Sequence, residues 1–111
     1  MTMSDGNIEA AEMRLSVACI AASRAQANML AYCERMRGAI VVPEYLDELT
    51  QLVTELGSMA ENRDLEGLTQ VGSSIWRFVD KNRIHRTDIG DNILDLRDSL
   101  AELGIRIDTQ R

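Results

Sequence analysis

Hydrophobic positions recur at helical spacing along almost the whole chain. Ile8, Ala11, Leu15, Ala18, Ala22, Ala25, Met29, Tyr32 and Met36 follow an unbroken alternation of three and four residues. That period places them on one face of a helix and predicts a long first helix over about residues 7–37, stopped by Gly38. A second apolar set, Met13, Val17, Ile20 and Ala27, lies on the opposite side. Around residues 17–22 the helix is therefore apolar all the way round, which predicts burial on every side. The first helix is then either the centre of a bundle or the seam of a homo-oligomer, with Met13, Val17 and Ile20 as seam residues.

Three shorter helices follow. Val42 before Pro43 is steered to extended backbone, and Pro43 suits the first turn of a second helix running to about residue 56 and stopping at Gly57. Leu46, Leu49, Val53 and Leu56 are its inner stripe, and the apolar Ile40, Val41 and Val42 are expected to tuck under the bundle. Ser58 and Glu61 have the spacing of a capping box ahead of a third helix over about 64–82, whose stripe is Leu65, Leu68, Gly72, Ile75 and Val79. The fourth covers about 88–103, buries Ile89, Ile93, Leu96, Leu100 and Leu103, and closes at Gly104 with Ile105 supplying the capping contact. No strand pattern or internal repeat interrupts this series. The fold class is all-α, an antiparallel bundle of about four helices with one long N-terminal helix, expected to form a single domain over residues 1–111. The second helix is less than half as long as the first and is expected to cover only its C-terminal half.

Composition agrees with this reading. At 111 residues the chain can bury about two-thirds of its unfolded surface without metals or disulfides. Aromatics are few, and Ala, Leu, Ile and Met carry the apolar content, which favours helices. The net charge of −6 argues against direct nucleic-acid binding and against docking on an anionic membrane. The longest apolar run is six residues, far too short to span a bilayer, and the polar, acidic start of the chain lacks the pattern of a secretory signal. Cys19 and Cys33, on one helix, stand roughly 21 Å apart and cannot bond to each other. A reduced, cytoplasmic protein is the expectation.

Charge patterning supplies the main candidate site. Asp88, Asp91, Asp95, Asp98 and Glu102 recur at gaps of three and four, which stacks five carboxylates in one stripe along the fourth helix. Each like-charge contact costs roughly 0.2–0.5 kcal/mol at low salt. Asp88 and Asp91 suit the start of a helix, whereas Glu102 sits at the unfavourable end. Arg97 has no acid three or four residues away to neutralise. A solvated face is the plain explanation of the stripe, and an acidic strip docking on a basic protein groove is the functional one. A second segment gathers Arg77, Lys81, Arg83 and Arg86 around Trp76, either as an interaction hot spot or as bases suited to a helix C-terminus beside core aromatics.

Catalytic constellations are scarce. His85 is the single histidine, and neither cysteine has a partner at metal-ligand spacing, so no metal or cofactor is expected. "EAAE" (Glu9, Glu12) and "EYLD" (Glu44, Asp47) resemble the paired acidic motifs of MazG-type all-helical nucleotide pyrophosphatases, which implies Mg²⁺ held against a triphosphate. In a helical hairpin these two pairs fall roughly 40 Å apart, too far to share an ion. "LAELGIRIDT" resembles the tail of cysteinyl-tRNA synthetases, over a helix ending that holds no catalytic residue. The expectation is a non-enzymatic protein-binding module, a small acidic inhibitor or adaptor of the phage anti-defence type, docking on a basic, nucleic-acid-handling protein. The alternatives are a self-assembling structural or chaperone-like oligomer and the pyrophosphatase.

Overall fold

A computed structural model of the chain describes residues 5–109, with side-chain surroundings from residue 8 onward. Four helices run α1 (Asp5–Arg37), α2 (Leu46–Glu61), α3 (Leu65–Asn82) and α4 (Asp88–Glu102). They alternate in direction around a ring in which α1 packs on α2 and α4, and α3 closes the far side. The four inner stripes meet in one core, where Ala22, Met29, Leu49, Leu56, Leu68, Ile75, Ile89, Ile93 and Leu100 are sealed from solvent. Trp76 and Phe78 also belong to that core, so the aromatics of the basic segment serve packing.

The helix ends have local causes. Asp64 and Thr87 cap α3 and α4 by accepting from Gly67 N and Gly90 N. Gly104, at φ +75°, closes α4: its N–H donates to Ala101 O at 3.0 Å and that of Ile105 to Leu100 O at 2.9 Å. The same paired bonds close α2 and α3, but there Arg63 and Arg83 take the left-handed backbone, at φ 55° and 56°. A non-glycine residue in that region carries strain of about 1 kcal/mol or more.

Several expectations are corrected. Helix α2 begins at Leu46, after a turn closed by Leu46 N donating to Pro43 O, and it runs through Gly57 to Glu61. Gly57 is a contact point between α1 and α2: a Cβ there would lie 3.0 Å from the Gln26 side chain. Ala60 extends the buried stripe past it, and that packing outweighs a helix penalty of about 1 kcal/mol. Ser58 and Glu61 therefore lie inside α2 and form no capping box. The longer α2 brings Arg63 to Glu12 and Ser16, well into the N-terminal half of α1. Ile40, Val41 and Val42 do not tuck under; Ile40 is fully exposed, because Leu46 and the edge-to-face pair Tyr45 and Phe78 already close that end of the core.

The all-round burial expected for residues 17–22 also fails. Ala18, Cys19 and Ala22 are buried, while Val17 and Ile20 face outward in the single chain. Ile8 and Ala11, on the core face of α1, are exposed as well, because the first turns of α1 outrun the ends of α2 and α4. After α4, residues 105–109 fold back over α3. Ile105 and Ile107 are buried, and Ile107 Cδ1 lies where a Cβ on Gly72 would stand, 2.7 Å away. The close approach expected at Gly72 is thus to this strap and not to a helix. Among the described residues no helix is long and apolar enough to cross a membrane.

Candidate functional site

The apolar stripe of α4 faces α1 and α3, which turns the acidic stripe to solvent. Asp88, Asp91, Asp95, Asp98 and Glu102 are all exposed. They are not equivalent. Asp88 is held by Arg35 of α1, and Asp98 accepts from its sequence neighbour Arg97 at 3.0 Å. Arg97 therefore relieves the stripe through a one-residue contact that helix periodicity does not suggest. Asp91, Asp95 and Glu102 make no side-chain hydrogen bond or ion pair among the described residues. Asp91 sits in the first turn, where the helix dipole favours an acid. Glu102 sits in the last turn, which has no basic residue to offset it. The file from Asp91 to Glu102 extends about 16 Å.

One flank of the stripe is set by α1. Arg14 donates to Leu103 O at 2.7 Å, Asn28 to Asn92 Oδ1 at 3.0 Å, and Arg35 reaches Asp88. These three are spaced by fourteen and seven residues, a heptad-related register that fixes α4 along α1. Arg24 and Asp95 line a shallow groove between the same two helices. The acidic face is thus bounded on one side by arginine and asparagine side chains. The other acids of interest are exposed, Glu44 in the turn before α2 and Asp47 and Glu48 in its first turn. Helix α2 is diagonal to α4 and does not pack on it, so those charges do not extend the stripe.

The basic segment divides. Arg77 donates to Ser74 Oγ at 3.1 Å, and Lys81 shares a shallow α2–α3 groove with Glu48 and Leu52. Arg83 is the left-handed cap, and Arg86 is exposed in the α3–α4 turn. Trp76 is buried edge-on to His85, with ring centroids 5.4 Å apart, and its Nε1 finds no hydrogen-bond partner among the described residues. His85 in turn lies 3.0 Å from Asp80 Oδ1. Sequence reading missed Arg106, which joins Arg77, Thr69, Ser73 and Asp108 around a groove of about 800 Å³ under the strap. Ser73 Oγ accepts from Asp108 N there, at 3.0 Å. No local pattern signals that groove, since it exists only because the strap folds back.

The acids of the two pyrophosphatase-like motifs are kept apart. Glu12 pairs with Arg63 at one end of the bundle, and Asp47 pairs with Arg37 at the other. Among the described residues no three histidine, cysteine, aspartate or glutamate side chains gather in a way that could hold a metal. Both cysteines are free and buried, and burial pushes the Cys33 thiol above its ordinary range. No known protein-family model matches the chain, and no curated protein or solved structure is significantly similar to it.

Proposed function

We propose that the protein is a non-enzymatic binding module, an inhibitor or adaptor, whose α4 face engages a basic surface on another protein. The observation that carries this reading is the exposed file of Asp91, Asp95 and Glu102, which no base of the chain's own neutralises among the described residues. Like charges three and four residues apart weaken a helix, and a groove rich in Arg and Lys turns the same charges into complementarity and faster encounter. Proteins that handle nucleic acids offer such grooves, and phage-encoded inhibitors of defence complexes, anti-CRISPR proteins among them, are one kind of occupant. A duplex carries a charge every ~1.7 Å of axis, so the α4 file fits a local basic groove better than a whole duplex footprint. The two free, buried cysteines suit a reducing cytoplasm.

The test is affinity capture from native lysate with three baits. One is the unchanged chain and one carries Asp91→Asn, Asp95→Asn and Glu102→Gln. The third carries Glu44→Gln, Asp47→Asn and Glu48→Gln, which removes the same charge from the diagonal helix and the turn before it. A partner with a basic surface, held by the first and third baits and lost by the second, is the expected result. Equal capture by all three, or equal loss from both variants, would sink the reading.

A further inference from the structure

The outward face of α1 is apolar and self-complementary. Met13, Val17 and Ile20 stand 68%, 44% and 54% exposed in one file, opposite the buried Ala18, Ala22, Ala25 and Met29. Their neighbours on that face, Ala10, Ser16, Ser23 and Ala27, are small, and Arg63 borders it, donating to Ser16 Oγ at 3.3 Å. Two charged residues bracket the file, Glu9 toward the start of the helix and Arg24 toward its middle. Neither makes a hydrogen bond or ion pair among the described residues. The other charges nearby on α1 are engaged within the chain, Glu12 by Arg63 and Arg14 by Leu103 O.

The ends of this file and the charges that bracket it are symmetric about the point between Ser16 and Val17. Met13 lies as far before that point as Ile20 lies after it, and Glu9 as far before it as Arg24 after it. An antiparallel copy crossing there sets Met13 against Ile20 and Val17 against Ser16, and brings Glu9 of each chain to Arg24 of the other. A parallel copy stacks Glu9 on Glu9 and Arg24 on Arg24, which repel. We infer that the chain self-associates through this face as an antiparallel two-fold dimer, with an apolar centre and a Glu9 to Arg24 pair at each end. The overlap of residues 9–24 is about 24 Å long. A face of this size is small for a stable dimer and predicts micromolar dissociation. The inference does not require that the acidic face of α4 bind anything, although Arg24 also lines the groove beside Asp95.

Sedimentation equilibrium of the full chain from about 1 µM to about 1 mM tests it. The mass should rise from one chain to two. Glu9→Arg and Arg24→Glu should each weaken the dimer by about tenfold, and the two together in one chain should restore it. Val17→Asp should leave a monomer. All these positions are exposed, so the helical circular dichroism of each variant checks that the fold is intact. A constant mass of one chain, an assembly larger than two, or a double reversal that fails to restore the single reversals overturns the inference.

Discussion

Gly90 shows how tightly one residue is specified. A Cβ there would stand 2.1 Å from the His85 carbonyl oxygen and 2.6 Å from its carbon, inside the turn that joins α3 to α4. Backbone cannot yield as a flexible side chain does. Gly90→Ala is therefore expected to destabilise by about 2 kcal/mol or more, despite the gain of about 1 kcal/mol in helix propensity. Urea denaturation measures this, and an unchanged or raised midpoint would show that the turn relaxes freely. Alanine at Gly57 first meets the Gln26 side chain, which can swing away, so the two glycines differ by what they face.

At the scale of the element, α4 is a helix whose buried face is well built and whose exposed face works against it. Asp95 has Asp91 four residues before it and Asp98 three residues after, both exposed carboxylates. Asp95→Asn removes both repulsions and should stabilise the protein by about 0.5 kcal/mol at low salt, with the gain fading as salt is added. Urea midpoints at two salt concentrations would show it. A destabilised variant would mean that Asp95 is held by its own chain, by Arg24 across the shared groove, and that the stripe is structural. Helix α1 is the converse case: its inner face is buried from Ala18 to Tyr32, while Ile8, Ala11 and the outward file are exposed among the described residues.

At the scale of the whole molecule, the end of the bundle near the α1–α2 connection is closed by phenols. Tyr32 is buried and its hydroxyl lies 3.2 Å from that of Tyr45. Burial first, then that hydrogen bond, holds the Tyr32 hydroxyl protonated well above the ordinary tyrosine range. Burial raises the Cys33 thiol in the same sense. For both groups the folded chain keeps its proton more tightly than the unfolded chain does. Their stabilising contribution is complete below the ordinary thiol range and is lost as pH rises through it and on past about 10. Thermal midpoints should hold steady through neutral pH and fall on the alkaline side, and Tyr32→Phe should flatten the fall above pH ~10. The same slope in the variant would assign the alkaline loss to other groups.

Four helices, most of their inner faces, the α4 ending at Gly104 and Ile105, and the exposed acidic stripe were legible from spacing alone. Each follows from periodicity or from one residue's backbone preference, which are properties of neighbours in the chain. What the tertiary structure decided depends on contacts between distant residues. Gly57 reads as a stop until its contact with Gln26 of another helix is seen, and nothing in the local pattern marks Arg63 and Arg83 for the left-handed backbone they take at two helix ends. Ile40 to Val42 are apolar enough to bury, yet other side chains had already filled that end of the core. Which acids keep a free charge was likewise set between elements, since Arg35 reaches Asp88 only when α4 lies antiparallel along α1. Local pattern determines what each segment can bury; only packing decides which of those faces find a cover, because space in the core is shared by all four helices.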